Sequence, residues 1–183
     1  MRRLARADLA CFYVAVHPDL ELARHTALLM EAIERAQEGI AGAVRCLLHR
    51  SDRLLISEPP RRGETLLLEL LCSWYLGRHS ERSVILATYS GRQRQACAQL
   101  LSDSLFGAIF PACRLSADSS LQRRFDNTAG GSFYAVGCGG PVTGHGCSLL
   151  VCDDLLKGRR RSAQRDDPQG LCTAGSPARA LRG

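Results

Sequence analysis

One stretch sets the architecture of this chain: Leu54-Leu55-Ile56-Ser57-Glu58-Pro59-Pro60-Arg61-Arg62-Gly63-Glu64-Thr65. It predicts a short apolar strand over 53–57, a turn stiffened by two prolines, and a helix that begins near Thr65. The N-terminus of such a helix presents unpaired backbone N–H groups and the positive end of the helix dipole, which together favour a phosphate. The usual phosphate-binding loop ends in Gly-Lys-Ser or Gly-Lys-Thr, whereas Glu64 occupies the lysine position here.

The segments around this stretch predict an α/β fold with a mainly parallel sheet flanked by helices. A helix over 65–76 that closes at Gly77, followed by a β-prone run over 83–88, is typical of a βαβ unit. A second helix is predicted over 91–105. Upstream, apolar residues recur at helical intervals over 20–38, which predicts an amphipathic helix that stops at Gly39.

Two further features lie downstream. The run Thr128-Ala129-Gly130-Gly131 separates two β-prone segments and predicts a β-hairpin over 123–136. After a glycine-dense loop, the apolar run 148–152 predicts a strand that ends at Asp153 and Asp154. Paired acids at the carboxyl end of a strand suit Mg²⁺ and an attacking water. The same pair is equally compatible with the cap of a turn, so both interpretations stand at this point.

Composition restricts the class of protein. A chain of 183 residues that is 45% hydrophobic is long enough for one well-buried α/β domain. No apolar run approaches the roughly 20 residues of a bilayer span, and no apolar segment follows the basic N-terminus, so we expect no membrane association, no secretory signal and a cytosolic location. The nine cysteines contain no C-x-x-C pair, which disfavours both a zinc site and a disulfide scaffold.

The net charge of +6 is concentrated at the C-terminus. Residues 155–183 carry one lysine, six arginines and two aspartates, a net charge of +5, which leaves the first 154 residues at +1. Affinity for nucleic acid therefore cannot be argued from a basic domain face. Residues 157–183 lack apolar periodicity and predict a basic, disordered tail, for which a DNA-binding arm is the functional alternative. The division is a domain over 1–156 and a tail over 157–183.

Taken in order, these motifs resemble the N-terminal ATPase domain of the large subunit of tailed-phage terminases, the motors that package DNA. The family's loop is close to Pro-Pro-Arg-His-Gly-Lys-Ser, and here it stands as Pro59-Pro60-Arg61-Arg62-Gly63-Glu64-Thr65. The resemblance covers roughly residues 10–158. Besides the loop, the similar segments are Trp74–His79, Val84–Ser90, Asn127–Gly137, Val142–Gly146 and the strand that ends at Asp153-Asp154.

The resemblance implies a P-loop NTPase-like fold, with the hairpin as an insertion, in which hydrolysis of MgATP drives double-stranded DNA into a procapsid. It assigns Mg²⁺ to Thr65 and Asp153, and assigns the activation of water to a catalytic Asp154. It assigns ATP phosphate binding to Pro60, Arg61, Arg62, Gly63, Glu64 and Thr65. It brings the adenine near His25, Phe12 or Tyr13. The implied partners are double-stranded DNA, the terminase small subunit, the portal and further copies of the chain, in the cytoplasm of a bacterial host.

Three departures from the family pattern bear on activity. Glu64 puts an anion where a cation meets the triphosphate; at an effective dielectric near 20, a charge about 4 Å away is worth roughly 4 kcal/mol, so we expect weakened binding or hydrolysis, with Arg62 as a partial substitute. His145 and Leu155 stand where relatives often carry Arg and Pro. The chain also ends before a nuclease domain, and a one-base shift within the codons of 162–169 permits a family-like sequence, which suggests a frameshifted tail.

Three other interpretations compete with a terminase-like ATPase. A helicase-type P-loop ATPase requires downstream helicase motifs, which this sequence lacks. An ATP-independent interaction module that binds portal, small subunit or full-length terminase requires no intact phosphate loop, and an inactive prophage remnant requires none either. Nucleotide titration of the wild type and of Glu64→Lys separates these interpretations: binding only by the variant indicates an inactive fold, and binding by neither weakens the P-loop interpretation.

Overall fold

The computed structural model describes residues 1–38, 54–57, 59, 62–89, 93–116, 124–137, 140 and 146–155. Within these residues the chain forms six helices and four strands. The helices are α1 (Arg2–Ala7), α2 (Leu9–Val16), α3 (Arg24–Glu38), α4 (Glu64–Arg78), α5 (Gln93–Ser102) and α6 (Ser104–Ile109). The strands are β1 (Ser83–Thr88), β2 (Arg124–Asp126), β3 (Ser132–Gly137) and β4 (Leu149–Asp153).

The strands form one mixed sheet in the order β2-β3-β1-β4. Strand β1 pairs in parallel with β3 on one side and with β4 on the other, while β2 pairs with β3 in antiparallel fashion. The predicted α/β fold, with a sheet flanked by helices, is confirmed. The hairpin of β2 and β3 is confirmed as well, but it is not a separate insertion, because β3 lies beside β1 within the main sheet.

The main core lies on one face of the sheet. Side chains alternate between the two faces of a strand, and Val84 and Leu86 of β1 pack into the large cluster formed with the helices. Ile85, on the opposite face, belongs to a small second cluster with Tyr134 and Val136. Strand β1 is largely buried because it has a strand on each side and apolar side chains packed on both faces.

Helix α4 crosses this core and confirms the predicted helix after the loop. Its side chains from Leu67 to Leu76 are almost all buried, and the indole N–H of Trp74 donates to the carbonyl oxygen of Ala5 at 3.1 Å, which ties α4 to α1. The predicted stop at Gly77 is wrong, since the helix continues to Arg78. A Cβ at Gly77 would lie 2.5 Å from the ring of Phe110, so this glycine permits close packing rather than ending the helix.

The two N-terminal helices were not predicted. Helix α2 is apolar around most of its circumference, and a sequence of that kind shows no helical periodicity for a pattern to detect. Asp8 caps α2, with its carboxylate accepting from the backbone N–H of Cys11 at 2.6 Å. Phe12 is fully buried and packs edge-on against Phe106 and Phe110.

The strand predicted over 53–57 is not formed by its described part. Residues 54–57 have no strand pairing. Leu55 is 95% exposed and Leu54 is 47% exposed, while only Ile56 packs against the main core. Three consecutive apolar residues are compatible with a strand, but a strand also needs a paired neighbour, and the sequence pattern carries no information about that neighbour.

The helix predicted over 91–105 is two helices within the described residues. Asp103 interrupts it in an extended conformation and caps α6, because its carboxylate accepts from the N–H of Leu105 at 2.7 Å. Helix α6 then runs to Ile109, past the predicted end, and buries Phe106 and Ile109 completely. The break reorients α6 so that its apolar side chains reach the core.

Asn127 holds the hairpin turn against the rest of the domain. Its side-chain amide donates to the carbonyl oxygen of Ser80 at 2.7 Å, and its side-chain oxygen accepts from the N–H groups of Ala129 and Gly131 at 3.0 and 2.9 Å. Gly130 adopts φ 92° in this turn, a conformation that favours glycine. The turn chemistry predicted from Thr128-Ala129-Gly130-Gly131 is therefore present, with Asn127 as its organiser.

Several predictions concern residues outside the described part of the chain. These are the helix stop at Gly39, the helix start at Gly91, the central glycines of the loop before β4 and the tail over 157–183. Among the described residues, no helix is both long and apolar enough to cross a membrane.

Candidate functional site

The candidate site lies where α4 begins. Gly63 immediately precedes the helix with φ 89° and ψ 13°, a left-handed conformation that glycine adopts at little cost. Its carbonyl oxygen accepts the first helical hydrogen bond, from Leu67 N–H at 3.0 Å. A Cβ built on Gly63 would have no atom within 4 Å, so the space beside this residue is open. Glycine is favoured at position 63 because of its positive φ and not because of crowding.

The second part of the site is the carboxyl end of β4. Asp153 is the last residue of this strand and is only 4% exposed. Asp154 follows it with φ 40°, the one non-glycine residue of the described chain with a positive φ. Aspartate tolerates this region better than most residues, but it remains a costly conformation. Asp154 is exposed, in contrast to the buried Asp153 beside it.

The two parts meet in a side-chain contact. The Thr65 hydroxyl donates to Oδ2 of Asp153 at 3.4 Å, across 88 residues of sequence. Helix α4 also contacts strand β4. The structure thus brings together the two residues that the sequence analysis assigned to Mg²⁺, each from a different motif.

Carboxyl groups crowd this site. Burial, with the charge of Asp154 in second place, raises the pKa of Asp153 above its usual value, while the hydrogen bond from Thr65 lowers it. Burial, and then the charge of Asp153, raises the pKa of Glu69. Each carboxylate in the group makes ionisation of the next one harder, so the site favours a cation over an anion.

Glu69 is a component that the sequence analysis missed. It lies one helical turn after Thr65, and residues four apart share one face of a helix, so the spacing alone offered a signal. It also lines a cavity of about 640 Å³ between α2, α4, α5 and α6. The other residues of this cavity that carry polar side chains are His17, Gln99, Asp103 and Ser104.

Glu64 occupies the first turn of α4 and is half-buried. A carboxylate at this position interacts favourably with the positive end of the helix dipole, by typically 0.3–1 kcal/mol. Glu64 therefore supports the helix that it begins, and it places negative charge where a phosphate is expected to bind. Arg62, which immediately precedes Gly63 in the sequence, is exposed. Among the described residues it is the cationic residue nearest to Glu64 in sequence.

The remaining predicted site residues fall into four cases. Pro60, Arg61 and His145 lie outside the described residues. Phe12 belongs to the buried aromatic core, which removes it as an adenine contact. Tyr13 is 8% exposed and packs against the ring of His17, with centroids 6.1 Å apart. His25 has its Nε2 atom buried without a hydrogen-bond partner among the described residues.

The donor atoms at Thr65 and Asp153 fit a magnesium ion. Mg²⁺ prefers hard oxygen ligands and usually keeps several waters, binding through one or two protein groups plus substrate phosphates. A hydroxyl and a carboxylate in contact match that requirement. Among the described residues no group of three or more His, Cys, Asp or Glu side chains is arranged to hold a metal on its own. The fit to phosphate is poorer, because Glu64 opposes it.

Comparisons with models of protein families, with curated proteins and with solved structures gave no match.

Proposed function

We propose that this chain is a nucleotide-binding domain of the P-loop type, similar to the ATPase domain of phage terminase large subunits. The observation that carries the proposal is the contact between Thr65 and Asp153, at 3.4 Å. The resemblance to terminases assigned these two residues to one metal ion, and each lies in a different motif. Two motifs 88 residues apart have no local reason to meet, so their contact supports a shared site.

In this proposal the residues of the chain divide the work. Thr65 and Asp153 hold Mg²⁺, and the exposed Asp154 orients the water that attacks the terminal phosphate. The N–H groups at the start of α4, together with Arg61 and Arg62, receive the phosphates. Mg²⁺ supplies charge neutralisation on the phosphate oxygens when it is bound.

The full proposed activity is that of the family: ATP hydrolysis coupled to movement of double-stranded DNA, with the small subunit and the portal as partners. We expect this copy to be a weak ATPase. Glu64 removes one charge-assisted phosphate contact and adds repulsion, and Arg62 restores only part of the missing positive charge. A P-loop fold, ATP and Mg²⁺ all belong to this proposal.

A second candidate function is favoured by the same Glu64. Its carboxylate already complements the dipole of α4, so the helix N-terminus needs no bound phosphate to be stable. A chain of this kind fits an ATP-independent interaction module, or an inactive prophage remnant that keeps the fold. The two candidates predict different responses to restoration of the lysine.

Titration with MgATP separates them. We compare the wild type with Glu64→Lys, and use Glu64→Gln as a matched control that removes the negative charge without adding a positive one. We expect weak binding by the wild type and binding by Glu64→Lys that is about 10²-fold tighter. One charge about 4 Å from a phosphate is worth roughly 4 kcal/mol at an effective dielectric near 20. A gain of about 2.7 kcal/mol, which corresponds to 10²-fold in affinity, is a conservative part of that energy. Glu64→Gln should fall between them.

Each outcome has a clear meaning. Binding by Glu64→Lys that is lost on adding Thr65→Val or Asp153→Asn supports a phosphate and metal site at α4. Binding by Glu64→Lys alone, with none by the wild type, supports the inactive or interaction reading for the natural chain. No binding by any variant, in protein that still unfolds cooperatively, overturns the P-loop proposal.

A further inference from the structure

Arginine side chains gather at the end of helix α4 that lies away from the candidate site. Helix α4 has 15 residues and is therefore about 22 Å long, with Thr65 in its first turn and Arg78 in its last. The carboxylates of Asp153 and Glu69 lie near its start, whereas Arg82 follows its end. The net charge of +1 over residues 1–154 therefore hides a separation of opposite charges within the domain.

Helix α1 adds three arginines at the same end. Arg6 is four residues from Arg2 and three from Arg3, so it shares a side of α1 with each of them. All three are exposed. The Nε atom of Arg6 donates to the carbonyl oxygen of Ile109, the last residue of α6.

Packing brings Arg78 to the same place. The indole N–H of Trp74 donates to the carbonyl oxygen of Ala5 in α1, and the guanidinium of Arg78 lies over the Trp74 ring, 4.7 Å from its centroid. Gly77, beside Arg78, packs against the ring of Phe110 just after the end of α6. Together with Arg82, the four arginines Arg2, Arg3, Arg6 and Arg78 form what we call the basic face.

Neutral groups hold the guanidinium groups of the basic face in position. Arg6 donates to a backbone carbonyl, Arg78 stacks on an indole ring, and Arg82 donates from Nη1 to the hydroxyl of Tyr75 at 3.2 Å. A guanidinium has five N–H donors. Each of these contacts therefore orients the group without neutralising it and leaves most of its donors available.

Carboxylates compensate little of this charge. Among the described residues, Arg82 is the member of the basic face that forms an ion pair, with Glu81 at 3.7 Å, and the Glu81 side chain is 66% exposed. The other four arginines have no carboxylate partner in that part of the chain. Asp8, which follows α1, is engaged in capping α2. An exposed pair such as Glu81–Arg82 contributes little, so the basic face stays strongly positive.

The basic face lacks the apolar centre that a protein interface needs. Such interfaces have an apolar core with aromatic anchors, but Trp74 and Tyr75 are buried beneath the arginines. Leu4 of α1 is 61% exposed and lines a groove with α2. It is two residues from both Arg2 and Arg6, so it points away from them. The absence of exposed aromatic rings also disfavours single strands, whose bases stack on such rings.

From these observations we infer that the basic face binds the phosphate backbone of a nucleic-acid duplex without reading its bases. Arginine binds phosphate through paired hydrogen bonds. Helix α1, with six residues, is about 9 Å long, whereas the phosphates of one strand recur every 3.4 Å or so along the duplex. The face therefore suits a row of phosphates better than a single anion.

This inference goes beyond the proposed function, which has double-stranded DNA as a partner but assigns it no surface. It requires neither the phosphate loop nor Mg²⁺, because the basic face and the candidate site lie at opposite ends of α4. The two proposals can therefore hold or fail separately.

Binding of a labelled DNA duplex of about 20 base pairs to the full chain tests the inference. Fluorescence anisotropy is measured in EDTA, without nucleotide. The test variant carries Arg2→Gln and Arg3→Gln. The matched control carries Arg24→Gln and Arg35→Gln, which remove the same charge from exposed positions of α3. Glutamine forms helices about as well as arginine, and thermal melts followed by circular dichroism check that each variant is folded.

The dependence on salt gives the expected magnitude. The logarithm of the affinity falls with the logarithm of the salt concentration by about 0.9 per phosphate contact. Loss of two contacts lowers this slope by about 1.8, so between about 50 and 200 mM salt the test variant should lose about 12-fold less affinity than the wild type. At about 200 mM salt it should bind roughly 10-fold more weakly than the control. Adding Arg78→Gln should lower the slope by about 1 more.

The other outcomes overturn the inference. Equal affinities and slopes for the test and control variants would assign DNA binding to residues 157–183 or to another part of the chain. An unchanged slope on adding Arg78→Gln would contradict a face that α1 and α4 share, and tighter binding of single-stranded DNA would contradict a duplex site. If the wild type binds polyglutamate but no DNA, and the test variant loses that binding, the face belongs to an acidic protein instead. Binding of neither polyanion would leave the face without this role.

Discussion

Replacing Thr65 with valine tests the contact on which the candidate site depends. Valine keeps the β-branched shape of threonine and removes only the hydroxyl, which donates to Asp153 at 3.4 Å. Asp153 is 4% exposed, so water does not readily replace the lost donor. Thr65→Ser, which keeps a hydroxyl, is the matched control.

The expected magnitude follows from the geometry. A hydrogen bond to a charged group typically contributes about 1.5–3 kcal/mol, but 3.4 Å is longer than the usual O–H···O separation, and Thr65 itself is exposed. We therefore expect Thr65→Val to lower the free energy of unfolding by about 1 kcal/mol. Since a neutral acceptor gains roughly half as much as a charged one, the same substitution in an Asp153→Asn background should cost about 0.5 kcal/mol.

Urea denaturation at neutral pH, with linear extrapolation to water, measures these differences. Two results would refute the reasoning. If Thr65→Val is as stable as both the wild type and Thr65→Ser, the hydroxyl makes no stabilising contact in solution. If the cost is the same in both backgrounds, the hydroxyl acts through some group other than the carboxylate of Asp153.

Three further predictions concern the rest of the domain. Asn127→Ala removes four hydrogen bonds of a buried side chain, three with backbone groups and one donated to Cys113 Sγ, and should cost about 3 kcal/mol in urea denaturation. A cost below about 1 kcal/mol would contradict its role in the turn. Gly131→Ala places a Cβ against two backbone carbonyl oxygens and should lower the free energy of unfolding by about 1–3 kcal/mol. Gly107→Ala is the control: a Cβ there meets nothing within 4 Å, so the substitution should stabilise helix α6 by about 0.5–1 kcal/mol. If both substitutions change the melting temperature equally, the clash at Gly131 is ruled out. Burial, followed by the charges of nearby arginines, lowers the pKa of His79 below its ordinary 6.5, so the folded chain binds fewer protons than the unfolded chain just below pH 6.5. Its stability should be full above pH 6.5 and fall as the pH drops toward the lowered pKa, and a His79→Gln variant that loses stability to the same extent over that range would contradict this.

The local elements of this fold were largely predictable. Strand β1 has the predicted bounds, 83–88, and α4 differs from its predicted helix only at the ends. The hairpin followed from the glycine-containing turn between two β-prone runs. These features depend on the periodicity of apolar side chains and on the residues that favour particular turns. Both can be recognised within a short stretch of sequence.

The errors arose where distant residues decide the outcome. Glycine at position 77 is typical of a helix end, but here it leaves room for the ring of Phe110, which lies 33 residues further along the sequence. Residues 54–57 have the composition of a strand but lack a paired neighbour among the described residues. Helix α2 was missed because it is apolar on most sides, and its burial depends on α4 and α6 packing around it.

The candidate site shows the same division. The sequence pointed to Gly63, Thr65, Asp153 and Asp154 through two local patterns, a loop before a helix and acids after a strand, and the family resemblance gave these residues their roles. Only the tertiary structure decided that Thr65 reaches Asp153, that the charge of Asp153 acts on Glu69, and that Phe12 is buried in the core. Residue chemistry and local backbone preference act over a few positions and can be read from the chain itself. Strand pairing, side-chain burial and the electrostatic interaction between carboxylates depend on which distant segments pack together. That packing is determined only when the whole chain folds.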